Sequence, residues 1–258
     1  MTNDKSLANT NDVQVPSFMV KASKDREGLE EAALYQAKPT LRIIQPQSGA
    51  DRREEFGVGS VVVMPEGRVV SPGPDAEFTG IPLFFNATFE SHSDYNDQAS
   101  PLVVASSSDP NSEIANRARI RGLRSEYYGP NNEYKMAHVE VLNCIVLIED
   151  GDAAGTIGLI TFMKSDHAAG RKLASYLRSA PCDLYGNRVA FQVVKRSAGS
   201  NDWLGWKINA PSDGERFVQD EAKFEELAGL HKEWAKLMEA HSDMVVENAP
   251  VPKDLPSV

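Results

Sequence analysis

The stretch 137–211 decides the fold: AHVEVLNCIVLIED (137–150), GTIGLITFMK (155–164), SDHAAGRKLASYLRSA (165–180), NRVAFQVVKRS (187–197) and DWLGWKINAP (202–211). The first two pieces are rich in apolar and β-branched residues and are parted by the turn residues Asp150-Gly151-Asp152, which marks two strands. In the third, Ser165 or Asp166 can cap a helix whose Ala169, Leu173, Tyr176 and Leu177 fall on one face, and Pro181 lies just past its end. The last two pieces alternate as strands and are joined by Ala198-Gly199-Ser200-Asn201. Strand, strand, helix, strand, strand, with at least one earlier strand added, predicts a mainly β, α+β chain built on an OB-like five-stranded Greek-key barrel.

Toward the N-terminus, strand-like runs continue: LRIIQP (41–46), SVVVMPEGRVV (60–70) with a turn at Pro65-Glu66-Gly67, and IPLFFNATFESH (81–92). The polar segment 105–113 reads as a loop in which Asp109 or Asn111 precedes a helix, and the basic run 114–124 is that helix or an extended arm. Residues 21–38 can form a short helix that Pro39 ends. Toward the C-terminus, 218–241 is a long amphipathic helix carrying Phe224, Leu227, Leu230, His231, Trp234, Leu237 and Met238 at near-helical spacing. The expected organisation is a lead-in with a short helix over 1–38, an OB-like nucleic-acid-binding domain over 39–210, and an acidic helix with a flexible tail over 211–258. There is no internal repeat and no heptad run.

At 258 residues, 41% hydrophobic and 25% charged, the chain is long enough for a core without disulfide or metal staples, and no apolar block approaches bilayer length. The start lacks the basic and apolar regions of a secretory signal. Cys144 and Cys182 stand outside any metal-ligand spacing, so two free thiols in a reducing, cytoplasmic compartment are expected. The net charge of −10 is unevenly spread: residues 115–210 carry 13 Lys/Arg against 9 Asp/Glu, while the flanks are acidic. A basic centre is compatible with a polyanionic ligand.

Enzyme signatures are missing from the sequence: no G-x-S-x-G, no phosphate loop, no G-x-G-x-x-G opening a helix and no H-E-x-x-H. Gly57-Val58-Gly59 leads into a strand. Glu54-Glu55, Asp150/Asp152 and Glu225-Glu226 read as solvated turn or helix-face carboxylates. His92 with Asp94 and Asp97 is the tightest candidate metal group, and a solvated polar loop explains it as well. Neither a cofactor nor a metal is expected.

Single-strand binding needs cations along a backbone path and flat side chains for bases. Alternation in 81–90 gives Ile81, Leu83, Phe85, Ala87 and Phe89 one face, which turns Phe84 outward beside Asn86 and Thr88. In 202–209, Leu204, Trp206 and Ile208 make the core face, and Trp203 with Lys207 the opposite one. Arg117, Arg119, Arg121 and Arg124 precede Tyr127-Tyr128, with Lys135 close after, and interleaved arginine and tyrosine suit phosphate contact plus stacking. Lys164, Arg171, Lys172, Arg188, Lys195 and Arg196 extend the cationic track. The plain alternatives are a solvated face for the charges and cover by loops or the C-terminal helix for Trp203 and Phe84.

LRIIQPQS, GSVVVMP, IPLFF, then TFMKSDHAAGRKLASYLRSA and a strand pair ending in DWLGWKIN, resemble bacteriophage-encoded single-stranded-DNA-binding proteins of replication modules over residues 39–210. The resemblance implies an OB-fold core, no catalysis, and protection of displaced strands in phage replication or recombination. Many such proteins end in an acidic tail closed by an aromatic residue that recruits replication enzymes; this chain ends Asp254-Leu255-Pro256-Ser257-Val258, so its C-terminal helix is expected to meet replication proteins or a second copy. Two rival readings remain: a protein-interaction or virion structural protein, and a metal-dependent nuclease built on His92, Asp94 and Asp97.

Overall fold

The computed structural model describes residues 39–93, 102–120, 126–128 and 134–242, all in one compact unit, Lys38–Val258. The helix expected over 21–38 and the tail after 242 lie outside the described residues. The elements are β1 (Thr40–Ile43), α1 (Ala50–Phe56), β2 (Ser60–Met64), β3 (Arg68–Pro72), β4 (Glu77–Ser93), β5 (Leu102–Ser107), α2 (Glu113–Arg119), β6 (Glu126–Tyr128), β7 (Tyr134–Ile148), β8 (Ile157–Phe162), α3 (His167–Ser179), β9 (Val189–Ala198), β10 (Asn201–Asn209) and α4 (Glu221–Ser242). The strands form one ten-stranded sheet in the order β10-β9-β4-β7-β8-β1-β2-β3, with β5 added to β4 and β6 to β7. Every pairing is antiparallel except that of β1 with β8.

The class is mixed α+β, as expected, and the decisive stretch forms its predicted elements. β4, β7, β8, β9 and β10 are neighbours in the ladder in a Greek-key order, and α3 joins the third to the fourth. The five-stranded barrel needs correction, because the sheet is not closed. The far edge of β8 pairs with β1, and β1, β2 and β3 extend the sheet beyond it. Asp166 does not cap α3, which is preceded by a 3-10 turn over Lys164–Asp166. Asp109 and Asn111 precede α2, as expected, and Ser112 caps it by accepting the Ala115 N–H. Helix α1, in the charged run ADRREEF, was not foreseen because it buries no residue and so shows no apolar periodicity.

Two apolar layers hold the sheet. On the inner face, Phe78, Cys144, Val146, Ile160, Phe162, Phe191 and Trp206 pack with Ala169 and Leu173 of α3. A Cβ on Gly170 would stand 2.8 Å from Phe162, so glycine lets α3 lie directly on β8. On the outer face, Ile81, Leu83, Ile145 and Leu147 are covered by Leu227 and Met238 of α4, with Leu230 and Trp234 alongside. Asp220 starts α4 by accepting the Lys223 N–H at 2.8 Å, a normal N-cap.

One irregularity determines which residues face α4. Between Pro82 and Phe84 the pairing of β4 with β7 slips by one residue, leaving Leu83 as the extra residue of a bulge. The freed Leu83 carbonyl accepts a hydrogen bond from His231 Nδ1 at 2.6 Å, which fixes the helix to the bulge. Past the slip the alternation is reversed: Ile81 and Leu83 belong to the outer layer, whereas Phe85 and Ala87 pack on the inner one. The single apolar face read from Ile81 to Phe89 is therefore two faces.

Candidate nucleic-acid interface

Beyond Asn209 the chain turns away, and among the described residues no strand lies beside the outer edge of β10. Its main-chain groups are met by side chains. Gln45, two residues past β1, donates from Nε2 to the Leu204 carbonyl (2.9 Å) and accepts the Leu204 N–H at Oε1 (3.0 Å), so its amide stands where a peptide group of a neighbouring strand would. Asp166 accepts the Trp206 N–H at 3.0 Å, Arg196 donates to the Trp206 carbonyl at 2.5 Å, and Lys172 donates to the Ile208 carbonyl at 2.6 Å. Gln47 reaches the Asp202 carbonyl at 3.2 Å. A side chain at position 205 would collide with Asp166 and Arg196, at 2.5 Å and 2.7 Å, which is why a glycine sits there. Burial pushes the Asp166 carboxyl above its ordinary range, against the lowering effects of the Trp206 N–H and Arg196.

These bonds decide which predicted cations are available. Arg196 and Lys172 serve the β10 edge, Arg196 also donating to Ser165 O at 3.0 Å. Lys195 pairs with Asp202 across the hairpin at 2.6 Å, on the surface. Arg188 contradicts its assignment: its guanidinium is held by Glu149 (2.7 Å), Asp213 (2.9 Å) and Glu215 (3.5 Å), an acid cage that leaves nothing for a phosphate. Hydrogen bonds from the Glu215 N–H and Arg188 hold the Asp213 carboxyl below its usual range. Lys164, Arg171 and Lys207 are exposed and enter none of the ion pairs among the described residues. Lys164 is further marked by φ +50°, a conformation that non-glycine residues adopt at a cost of about 1 kcal/mol.

The β9 to β10 ladder runs unbroken from Asn201↔Ala198 to Asn209↔Ala190, and alternation holds along it. Leu204, Trp206 and Ile208 are buried in the inner layer, while Trp203 is half-buried and Lys207 exposed on the other face. Trp203 lies opposite Arg196, and its indole Nε1 is shielded with no hydrogen-bond partner among the described residues. Phe84 is the second correction. It follows the bulge and packs into the layer beneath α4, so it is not an outward stacking platform.

The arginine arm is divided. Arg117 is buried at 8% exposure and bonded to Glu113 one turn back, so it is structural. Arg119 is exposed, donates to the Pro110 carbonyl at 2.7 Å, and lies 4.9 Å over the ring of Phe89. Arg121 and Arg124 lie outside the described residues, as do Asp94 and Asp97. The backbone of β6 and β7 sets Tyr127 opposite Lys135 and Tyr128 opposite Tyr134; their side chains are outside the described set. His92 is 4% exposed and bonded through Nε2 to Glu90 at 2.7 Å, in a strand and not in the loop expected. Among the described residues no three His, Cys, Asp or Glu side chains converge on a metal-sized site. No described helix is long and apolar enough to cross a membrane.

Some residues passed over in the sequence also stand together. On the outer face, beside the part covered by α4, Asn143 of β7 donates to Thr88 of β4 (3.2 Å) and accepts from Thr161 of β8 (3.3 Å), with Asn86 directly opposite Asn143 in the ladder. On β1, Leu41 and Ile43 face the inner core and Arg42 the outer side, exposed. The signal was present: single polar residues at alternate positions inside otherwise apolar strands. Compared with models of protein families, with curated proteins and with solved structures, the chain matches none of them.

Proposed function

We propose that the chain is a non-catalytic single-stranded-DNA-binding protein, with β4, β7, β8, α3, β9 and β10 acting as an OB-type module, an architecture that is itself only partly closed. The observation that carries the reading is the β9 to β10 hairpin: an outward Trp203 and Lys207 stand on a strand whose edge is tied to the turn bearing Lys164. Aromatic surface for bases and unpaired cations for phosphates are thereby neighbours on one rigid element. Arg171 on α3 adds a further unpaired cation, and the basic centre of the chain supports the same ligand. The likeness to phage single-strand binders supports a role in phage DNA replication or recombination.

Binding should depend little on sequence and weaken steeply with salt. A titration with labelled oligothymidylate tests it. Tight binding at low salt, much stronger than to duplex, is the expected result; no binding, or equal affinity for duplex, overturns the proposal. The rival that docks α4 on another protein loses its main motive, since the apolar side of α4 is occupied by its own sheet.

A further inference from the structure

The outer face of β4, β7 and β8 carries two kinds of surface side by side. One part is apolar, with Phe84, Ile145, Leu147, Ile157 and Leu159 packed into the layer that α4 completes. The other is a transverse row of uncharged hydrogen-bonding groups, Asn86 and Thr88, Asn143, and Thr161, lying across three strands. A sheet surface stabilised only for folding would continue the aliphatic side chains that β4, β7 and β8 carry under α4. Instead Asn143, at 8% exposure, is fixed by Thr88 on one side and Thr161 on the other. Fixed in that way, its amide has one N–H and one lone pair left over.

A second observation points to a ligand. Asn86 Oδ1 is shielded and has no hydrogen-bond partner among the described residues, an acceptor left without a donor at one end of the row. Unmet buried polar atoms are uncommon and costly. At the opposite end stands a cation. Thr40 of β1 lies beside Leu159 of the parallel strand β8, and Arg42, two residues further along β1, is exposed on the same outer side of the sheet as Thr161. Lys164 follows Thr161 by three residues, and Gln45, which ties β1 to β10, follows Arg42 by three. Through Gln45 the chain that bears Arg42 is joined to the hairpin that bears Trp203. Four strands span about 15 Å at the usual spacing.

We infer that this row is a base-reading lane: Asn86, Thr88, Asn143 and Thr161 exchange hydrogen bonds with the edges of unpaired nucleobases, and Arg42 holds a phosphate at its end. The inference rests on the single-strand-binding reading and adds a site to it. Uncharged donors and acceptors match the neutral, hydrogen-bonding edges of bases, while a guanidinium matches the charged backbone. The two kinds of contact differ in their response to salt, because only a phosphate contact releases counterions.

The test uses the full chain and two probes with the same phosphates, labelled oligothymidylate and an abasic strand of equal length. Wild type should prefer the strand with bases. Asn143→Val should weaken oligothymidylate binding about tenfold, leave its salt slope unchanged, and leave abasic-strand binding as in wild type, so that the gap between the two probes narrows without closing. Arg42→Gln should instead lower the salt slope by about one and weaken both probes alike. Thr161→Val, nearly isosteric, repeats the Asn143 readout should the first variant fail to fold, as checked by circular dichroism. If wild type binds oligothymidylate but folded Asn143→Val and Thr161→Val bind both probes as wild type does, the lane is overturned and single-strand binding stands. If wild type binds neither probe, both readings fall.

Discussion

Phe84 and Trp203 were selected by one rule, that an aromatic on the polar side of an alternating strand is not serving the core, and the structure separates them. Trp203 sits in a ladder of nine consecutive pairs, where a period of two is kept from end to end. Phe84 sits one residue past a bulge that brings Ile81 and Leu83 onto its own side of the sheet, where α4 covers all three. What differs is not the local sequence of either strand but the partner. Alternation is a property of a paired strand, so it is only as dependable as the register. The bulge also brings its own cover, since the carbonyl it frees is the one His231 takes.

Removing that cover has the largest expected effect. Leu227 is fully buried between α4 and the sheet, and Leu227→Ala should cost about 3 kcal/mol, read by urea denaturation. It should also expose the Phe84 layer to a hydrophobic dye at denaturant levels where wild type binds none. Next in size is the tie beneath Trp203. Gln45→Ala leaves both the N–H and the carbonyl of Leu204 without partners and should cost about 2 kcal/mol, with amide exchange at Leu204 accelerated more than at inner-core positions.

The direct contrast comes third. Trp203→Ala should weaken oligothymidylate binding about tenfold with little change in melting temperature, whereas Phe84→Ala should lower the melting temperature and leave the affinity of the folded protein unchanged. Reversed outcomes would mean that Phe84, and not Trp203, is the aromatic open to the strand. The smallest effect concerns pH. The Asp166 carboxyl titrates above its ordinary value of 3.8 in the folded chain, so the native state binds its proton more readily than the unfolded one. This group therefore adds stability as pH falls through its raised pKa and takes it away as pH rises. Stability of wild type relative to Asp166→Asn should rise from neutral pH toward pH 4, measured by thermal melts across that range.

Much of the fold was legible. The sequence order of β7, β8, α3, β9 and β10 followed from turn residues, a helix-spaced apolar face and alternation, all local signals. The turn at 65–67 and the long C-terminal helix were equally plain. The open sheet was not legible, because the edge of β10 is met by Gln45 from 159 residues away, and nothing local marks a glutamine as a substitute for a peptide group. The same limit applies to the site. Cationic residues could be found by type, but whether Arg188 is free or caged depends on Glu149, Asp213 and Glu215, which come from a strand end and a distant loop. Asn143 was readable in principle as the lone polar residue within VLNCIVLI, yet its meaning needs Thr88 and Thr161 beside it.

Because the amide of Gln45, the carboxylate of Asp166 and the cations of Arg196 and Lys172 already occupy the free side of β10, that strand offers little template to another chain. On the proposed reading, copies that coat one strand stand at very high local concentration, pressed against each other for as long as the strand lasts. Under such crowding an open sheet edge invites fusion of neighbours into an inseparable ribbon. An edge closed by its own side chains lets the copies sit shoulder to shoulder and still come apart when the strand is paired again.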